Sequence, residues 1–296
     1  MTMTLEKMAQ ILTESGHYKV LKAYEPPSAY YPDDGCEKRI GLILDTEDTG
    51  TDYETDTIIE LGMVKFEYDP LNGRIFRILE HYDEYNDPGY PLPEKITQLT
   101  GITDTMLAGK RLSGDDIHTF VQDVNLVIAH NAGFDRKFCE ALHPDFIKLS
   151  WACSMKDIDW PNERIESRKL DYIAAQLGFF FTGHRAVNDC LATLHILSKN
   201  LPVSGSLALQ KLLEQARKTT YRIYAINAPF AHKDILRKKG YAWNDGSNNQ
   251  PKAWFIEVTE EQREGELDFL YKEIYQGEPN LPQVRITARN RYSNRI

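Results

Sequence analysis

Cysteine pairs are absent from this sequence. Its four cysteines form no CxxC motif and have no histidine at zinc-ligand spacing; they are Cys36, Cys139, Cys153 and Cys190. This arrangement indicates neither a disulfide framework nor a structural zinc site. We therefore expect four reduced thiols in a cytoplasmic protein.

Long hydrophobic runs are absent as well. No stretch approaches the ~20 apolar residues of a membrane-spanning helix. The opening segment MTMTLEKMAQILTESG has apolar residues at helical spacing, but Glu6, Lys7 and Glu14 interrupt them. We expect neither a signal peptide nor a membrane partner.

Basic residues are fewer than acidic ones, and they are unevenly distributed along the chain. The chain has 35 Lys and Arg against 44 Asp and Glu, a net charge of -9, which taken alone disfavours a polyanionic partner. Residues 201–296 hold 15 of these basic residues and 11 of the acidic ones, a balance of +4, and residues 1–200 carry the remaining -13. The acidity therefore lies in one part of the chain, where a metal site can use it.

Hydrophobic periodicity divides the chain into three regions. Residues 1–37 predict a helix and a strand (17–23), followed by a proline-containing loop. Residues 38–200 predict strands at 40–44, 57–66, 74–81 and 125–129, and helices at 113–121, 134–142, 170–177 and 186–197. Residues 205–296 predict a small α+β module with strands at 221–226, 241–243 and 252–258. The expected fold class is α/β, a mixed sheet flanked by helices.

Three polar motifs stand at the ends of these elements. Asp45 and Glu47 lie two residues apart at the end of an apolar strand, so their side chains share a face. Asp135 ends HNAGFD (130–135), where a buried strand turns into a helix. His184 and Asp189 open and close HRAVND (184–189), at the start of another helix. Each motif alone is common, but their order and setting together are specific.

Together the three motifs resemble the DEDDh 3′–5′ exonuclease family, the DnaQ-like branch of the ribonuclease H-like fold. IIELG (58–62) and LTGIT (99–103) are further matches, and the resemblance covers residues 38–200. The family's first motif usually reads DTETTG, whereas this chain has Asp48 at the fourth position. Because strand side chains alternate, we expect Asp48 to face away from Glu47 and to alter the loop more than the metal site.

The resemblance implies a catalytic centre with two divalent cations, Mg²⁺ or Mn²⁺, which take oxygen ligands. It assigns Asp45 as the bridge between the ions, Glu47 and Asp189 to the ion that holds the attacking water, and Asp135 to the other ion. It assigns His184 as the general base, a role that suits histidine because this side chain titrates near neutral pH.

The resemblance also implies a nucleic acid with a free 3′ end as partner. It assigns Thr49 and Ile102 to binding of the terminal nucleotide, and Phe134 is a further candidate for stacking. We expect single-stranded ends, DNA in preference to RNA, and a polymerase as a candidate protein partner. The sequence leaves short oligonucleotides open as substrates.

The role of the C-terminal region stays open between two interpretations. Residues 221–258 interleave aromatic with basic side chains, which is typical either of a single-strand binding surface or of a small core with a solvated face. Arg285, Arg289, Arg291 and Arg295 near the end are equally ambiguous. Two alternatives to an exonuclease are a catalytically silent nucleic-acid binding module and a polymerase-associated subunit that docks through this region.

Overall fold

The computed structural model describes residues 3–246 and 250–296 of the chain. The strands are β1 (Lys22–Ala23), β2 (Arg39–Asp48), β3 (Ile58–Tyr68), β4 (Ile75–Tyr85), β5 (Leu126–Ala129), β6 (Trp151–Cys153), β7 (Phe179–Phe180), β8 (Thr220–Ala225), β9 (Ala242–Asn244), β10 (Ala253–Thr259) and β11 (Gln283–Ile286). The helices are α1 (Leu5–Glu14), α2 (Glu94–Thr100), α3 (Asp104–Leu107), α4 (Gly114–Val121), α5 (Ala132–Leu142), α6 (Asp145–Lys148), α7 (Leu170–Gln176), α8 (Ala186–Leu197), α9 (Ala208–Ala216), α10 (Lys233–Lys238) and α11 (Glu260–Phe269).

A five-stranded sheet forms the centre of the molecule, in the order β4-β3-β2-β5-β6. The pairs β2–β3 and β3–β4 are antiparallel, while β2–β5 and β5–β6 are parallel, so β3 alone runs against the other four. Helices cover both faces of this sheet. The predicted mixed sheet flanked by helices is confirmed.

The alternation of β2 side chains divides the core into two clusters. Ile43 faces a cluster that includes residues of α7, α8 and α9, whereas Leu42 and Leu44 face a cluster that includes residues of α4, α5 and β6. Burial of these aliphatic side chains is the main source of stability in such a layered fold. The strand is therefore fixed in register, because a slip of one residue would exchange the two faces.

The C-terminal module has its own antiparallel sheet, in the order β11-β8-β10-β9. Ile223, Leu236 and Leu270 contribute to a separate hydrophobic cluster beneath it. The main-chain amide of Thr259 donates to the Gln262 side chain at 3.1 Å and so caps the start of α11.

The last residues of the chain return to the central region. The fully buried guanidinium of Arg136 on α5 donates to the carbonyls of Arg291 and Arg289, both at 2.6 Å. The amide of Trp151 donates to the carbonyl of Ala288 at 2.8 Å, and the Tyr292 hydroxyl donates to Asp157 at 2.6 Å. Residues 288–292 thus bind the module firmly to α5 and β6.

The N-terminal segment is less regular than predicted. Only Lys22 and Ala23 of the expected strand 17–23 are extended and paired, in parallel with β7. The apolar side chains of α1 are exposed, among them Leu5 and Ile11. Within the described residues, no helix combines the length and the apolar character that crossing a membrane requires.

Candidate active site

The first two predicted acids lie at the end of β2, on the face that α8 covers. Asp189, in the first turn of α8, meets them there. Asp45, Glu47 and Asp189 each offer a carboxylate oxygen, and these three oxygens lie within 4.8 Å of one another. Residues as far as 144 positions apart in the chain are therefore brought together by the packing of α8 across β2 and β3.

Asp135 approaches the same strand from its other face. This buried residue of α5 accepts a hydrogen bond from the amide of Thr46 at 3.3 Å. Its charge is the largest electrostatic influence on the pKa of Asp45. Asp135 therefore lies next to Asp45, but it is not one of the three acids whose oxygens are within 4.8 Å of one another.

Two histidines belong to the motifs, and the structure separates their roles. The ring of His130 is enclosed: Nε2 donates to the carbonyl of Arg168 and Nδ1 accepts from the Ser154 hydroxyl, both at 2.8 Å. Burial lowers the pKa of His130 to about 4, so it is neutral at physiological pH. His184 is exposed in the loop before α8, and its amide donates to Asp189 at 3.1 Å. Only His184 is open to a substrate.

The loop that carries His184 is held by a buried carboxylate. Glu60 on β3 is completely buried, and it accepts bonds from the Arg185 guanidinium at 2.8 and 2.9 Å and from the Ala186 amide at 3.0 Å. Gly62 makes room for the helix, since a Cβ there would stand within 3 Å of the backbone of Ala186 and Val187. The IIELG segment thus positions α8 and its Asp189 against β2.

Glu60 and Arg185 had no predicted role. The available signal was an acidic residue within an otherwise apolar strand, because a charge is buried only when it is paired. The partner 125 residues away was not identifiable from spacing.

The cluster is electrostatically unfavourable without a cation. Burial first, and then the charges of Asp135 and Asp189, raise the pKa of Asp45 well above its ordinary value. Burial and the charge of Asp189 raise the pKa of Glu47 to about 8, and burial raises the pKa values of Asp135 and Asp189 to about 7. A hard divalent cation would offset this repulsion, and an all-oxygen donor set fits such an ion.

Asp48 adds a further carboxylate beside Asp135. It is 6% exposed, and its Oδ2 accepts from the Thr46 hydroxyl at 2.7 Å, so it lies on the Thr46 side of the strand as predicted. Its Oδ1 is buried and has no hydrogen-bond partner. Burial is the main cause that raises the pKa of Asp48 to about 8.

The three predicted substrate-binding residues occupy different settings. Thr49 is buried, with its hydroxyl 3.0 Å from that of Tyr90. Ile102 is completely buried beside Ile59 and presents no surface to a ligand in this conformation. Phe134 is half-buried and lines a cavity at the start of α5. Their roles in binding stay predictions.

The chain is similar to bacterial polymerase and exonuclease sequences. DNA polymerase III PolC-type of Thermotoga maritima is 29% identical over 216 residues, which cover 67% of this chain but 15% of that protein. DNA polymerase III subunit epsilon of Aquifex aeolicus is 31% identical over 167 residues, 54% of this chain and 79% of that one. The chain therefore spans only a small part of the length of its PolC relatives.

One solved structure shows the shared fold. E. coli exonuclease I in complex with a 5cy-dA13 oligonucleotide has a TM-score of 0.50 at 13% identity, over 75% of this chain and 63% of that one. The predicted ribonuclease H-like fold is confirmed. The RNase T family, described as an exonuclease, matches residues 42–197 and so includes all three motifs. The predicted resemblance is confirmed, and the chain belongs to this family of exonucleases.

Proposed function

We propose that this protein is a metal-dependent 3′–5′ exonuclease that releases nucleoside monophosphates one at a time from single-stranded ends. One observation carries the proposal: carboxylates from two distant segments converge within 4.8 Å, with Asp135 and an exposed histidine beside them. The 3′ polarity follows from the resemblance of the three motifs to DEDDh enzymes.

The four carboxylates would hold two divalent cations, Mg²⁺ or Mn²⁺. Asp45 belongs to the three acids with mutually close oxygens, and the charge of Asp135 also raises its pKa, which supports its assignment as the bridging ligand. Glu47 and Asp189 would hold one ion, and Asp135 the other. When bound, such ions stabilise the charge on the attacking and leaving oxygens of a phosphodiester.

His184 would accept the proton of the attacking water. Its exposure supports this role, because the ring must reach a water beside the substrate phosphate. The bond from its amide to Asp189 keeps the loop next to the cluster. Its backbone has a φ of 61°, a strained conformation for a residue other than glycine, and such strain is typical of functional loops.

The test supplies 5′-labelled single-stranded DNA, single-stranded RNA and a mismatched primer-template, each with Mg²⁺ or Mn²⁺. We expect a ladder that shortens from the 3′ end, faster on DNA, and no products with excess EDTA. Asp189→Asn should abolish the ladder, whereas Asp116→Asn, the same change at an exposed acid in the first turn of α4, should leave it intact. Digestion that persists in EDTA would exclude the proposal.

A polymerase partner is a second proposal. It is supported by the relatives, which are named as DNA polymerase III components. If the partner exists, adding a bacterial replicative polymerase should increase the rate of removal of a mismatched primer end. Equal rates with and without polymerase, together with no co-elution, would reject it.

A further inference from the structure

A groove runs along the start of α5. Two cavities, of about 430 and 470 Å³, share Gly133, Lys137 and Lys156 in their linings. The first also includes Thr51 and Phe134, which are close in sequence to Thr49, a predicted substrate-binding residue, and to Asp135. The second reaches Arg222 on β8 of the C-terminal module. We call this feature the basic groove and define it by Lys137, Lys156 and Arg222.

We infer that the basic groove binds the phosphates of a single nucleic-acid strand upstream of the nucleotide that is removed. The inference rests on the proposed function for the position of the 3′ end. It assigns a binding role to the C-terminal module, whose interpretation the sequence left open.

The cations of the groove are available to a ligand. Across residues 3–246 and 250–296, neither Lys137 nor Lys156 forms an ion pair, whereas Lys65 is paired with Asp123 at 2.9 Å. The Lys156 amine lies 3.6 Å from the position that a Cβ on Gly133 would take, at the amino end of α5. A helix amino terminus and two unpaired amines together attract phosphate.

Arg222 continues the positive charge on the module. Its Nε is buried without a hydrogen-bond partner, and its guanidinium lies 5.1 Å from the ring centre of Phe255. A carboxylate oxygen of Glu257 is 3.7 Å away, a distance beyond a hydrogen bond. The Arg222 guanidinium is thus paired with Glu257 without hydrogen-bond geometry, and a phosphate would add acceptors for its terminal nitrogens.

The acids that line the second cavity are engaged elsewhere. Asp157 accepts from the Tyr292 hydroxyl at 2.6 Å and from the Cys153 amide at 2.8 Å. Glu257 accepts from the Thr220 hydroxyl at 2.5 Å. These bonds hold the buried Asp157 toward the protein, while Glu257 stays exposed beside Arg222, so the two lysines of this lining, Lys137 and Lys156, are left without an ion pair among the described residues.

The aromatic lining favours a single strand over a duplex. Tyr53 and Phe134 are the partly exposed aromatic residues of the first cavity, and the buried Phe138 packs against Phe134 with ring centres 5.0 Å apart. Unpaired bases can stack on exposed aromatic faces, whereas bases in a duplex are already stacked and paired. The Lys137 amine lies 5.8 Å from the Tyr53 ring centre, so a stacking face and a phosphate-binding group are adjacent.

The test compares the double variant K137A/K156A with K148A and K272A. These controls remove exposed lysines that are paired with Asp145 and Asp268, outside the groove. Binding of a 5′-fluorescein oligothymidylate of about twelve nucleotides is measured by anisotropy with Ca²⁺, at several salt concentrations. Hydrolysis of thymidine 5′-monophosphate p-nitrophenyl ester with Mn²⁺ reports on the catalytic centre alone.

We expect the double variant to bind the oligonucleotide more weakly and with a shallower salt dependence. Loss of two phosphate contacts reduces the slope of log K against log salt by about 1.4. The ratio of wild-type to variant affinity should then fall about sevenfold between roughly 50 and 200 mM salt. Hydrolysis of the mononucleotide ester should be unchanged in all variants.

The inference would be overturned by a salt slope equal to that of the controls, or by an equal loss on the mononucleotide ester. Absence of oligonucleotide binding by the wild-type protein would also overturn it. If no protein hydrolyses either substrate while lysine-dependent binding persists, the proposed function fails and the inference on binding stands.

Discussion

Asp189→Asn should stabilise the metal-free protein while it removes activity. In the folded protein the pKa of Asp189 is raised from 3.8 to about 7, chiefly by burial. A pKa shift of about three units corresponds to a free energy of about 4 kcal/mol, at ~1.36 kcal/mol per unit. Because Asp45 and Glu47 titrate together with Asp189, we assign roughly half of this, about 2 kcal/mol, to the single substitution. Asparagine has nearly the same shape, and its oxygen can still accept from the His184 amide.

The sign and the pH window follow from the direction of the shift. The pKa of Asp189 is higher in the folded protein than in the unfolded one, so its ionisation lowers the free energy of unfolding. The full loss is present above about pH 7, it shrinks as the pH falls, and it disappears below about pH 4. In EDTA at pH 8 the variant should therefore melt about 5 °C above the wild type, and at pH 4 the two should coincide. Mn²⁺ should raise the melting temperature of the wild type more than that of the variant. A variant that melts below the wild type in EDTA at pH 8 would refute this reasoning.

Three further substitutions test how the site is held. Arg185→Ala should lower the free energy of unfolding in guanidinium by about 3–5 kcal/mol, because it leaves the completely buried Glu60 charge unpaired. Glu60→Gln should lower it by less, and equal losses would contradict the pairing. Gly62→Ala should cost about 1–3 kcal/mol and weaken Mn²⁺ stabilisation by displacing α8, and an unchanged Mn²⁺ response would count against that packing. Asp48→Thr should raise the free energy of unfolding, measured with urea in EDTA at neutral pH, by about 1–3 kcal/mol, since it removes a buried oxygen without a partner; a lower free energy of unfolding would contradict this.

Periodic segments with clear caps were predictable from the sequence. The α8 bounds, Ala186–Leu197, agree with the prediction, and α4 begins after Ser113, which accepts from the Asp116 amide at 3.2 Å. The pairing of Asp45 with Glu47 on one face of β2 was predictable because strand side chains alternate strictly. These features depend on local geometry that a short stretch of sequence determines.

Short or tertiary features were not predictable. β6 has three residues, too few to show a period, and it exists because it pairs with β5. No helix was predicted over α9, yet Leu209 and Leu212 pack in the same cluster as α8. The domain boundary near residue 200 stays a prediction, since packing crosses it. Such contacts join residues whose separation in the chain carries no signal.

The C-terminal region shows that the position of charged side chains matters more for binding than the net charge. Two of its arginines serve the fold: the Arg291 guanidinium donates to carbonyls near the end of α9, and Arg295 pairs with Glu140 on α5. The same anchoring sets Arg222 in line with Lys137 of the catalytic region, at one wall of a common cavity. A net charge of -9 is therefore compatible with a polyanionic substrate, because a strand meets only the charges that line its path. The acids gathered at the candidate metal site and the lysines of the basic groove, Lys137 and Lys156, lie at different places, and the fold keeps them apart.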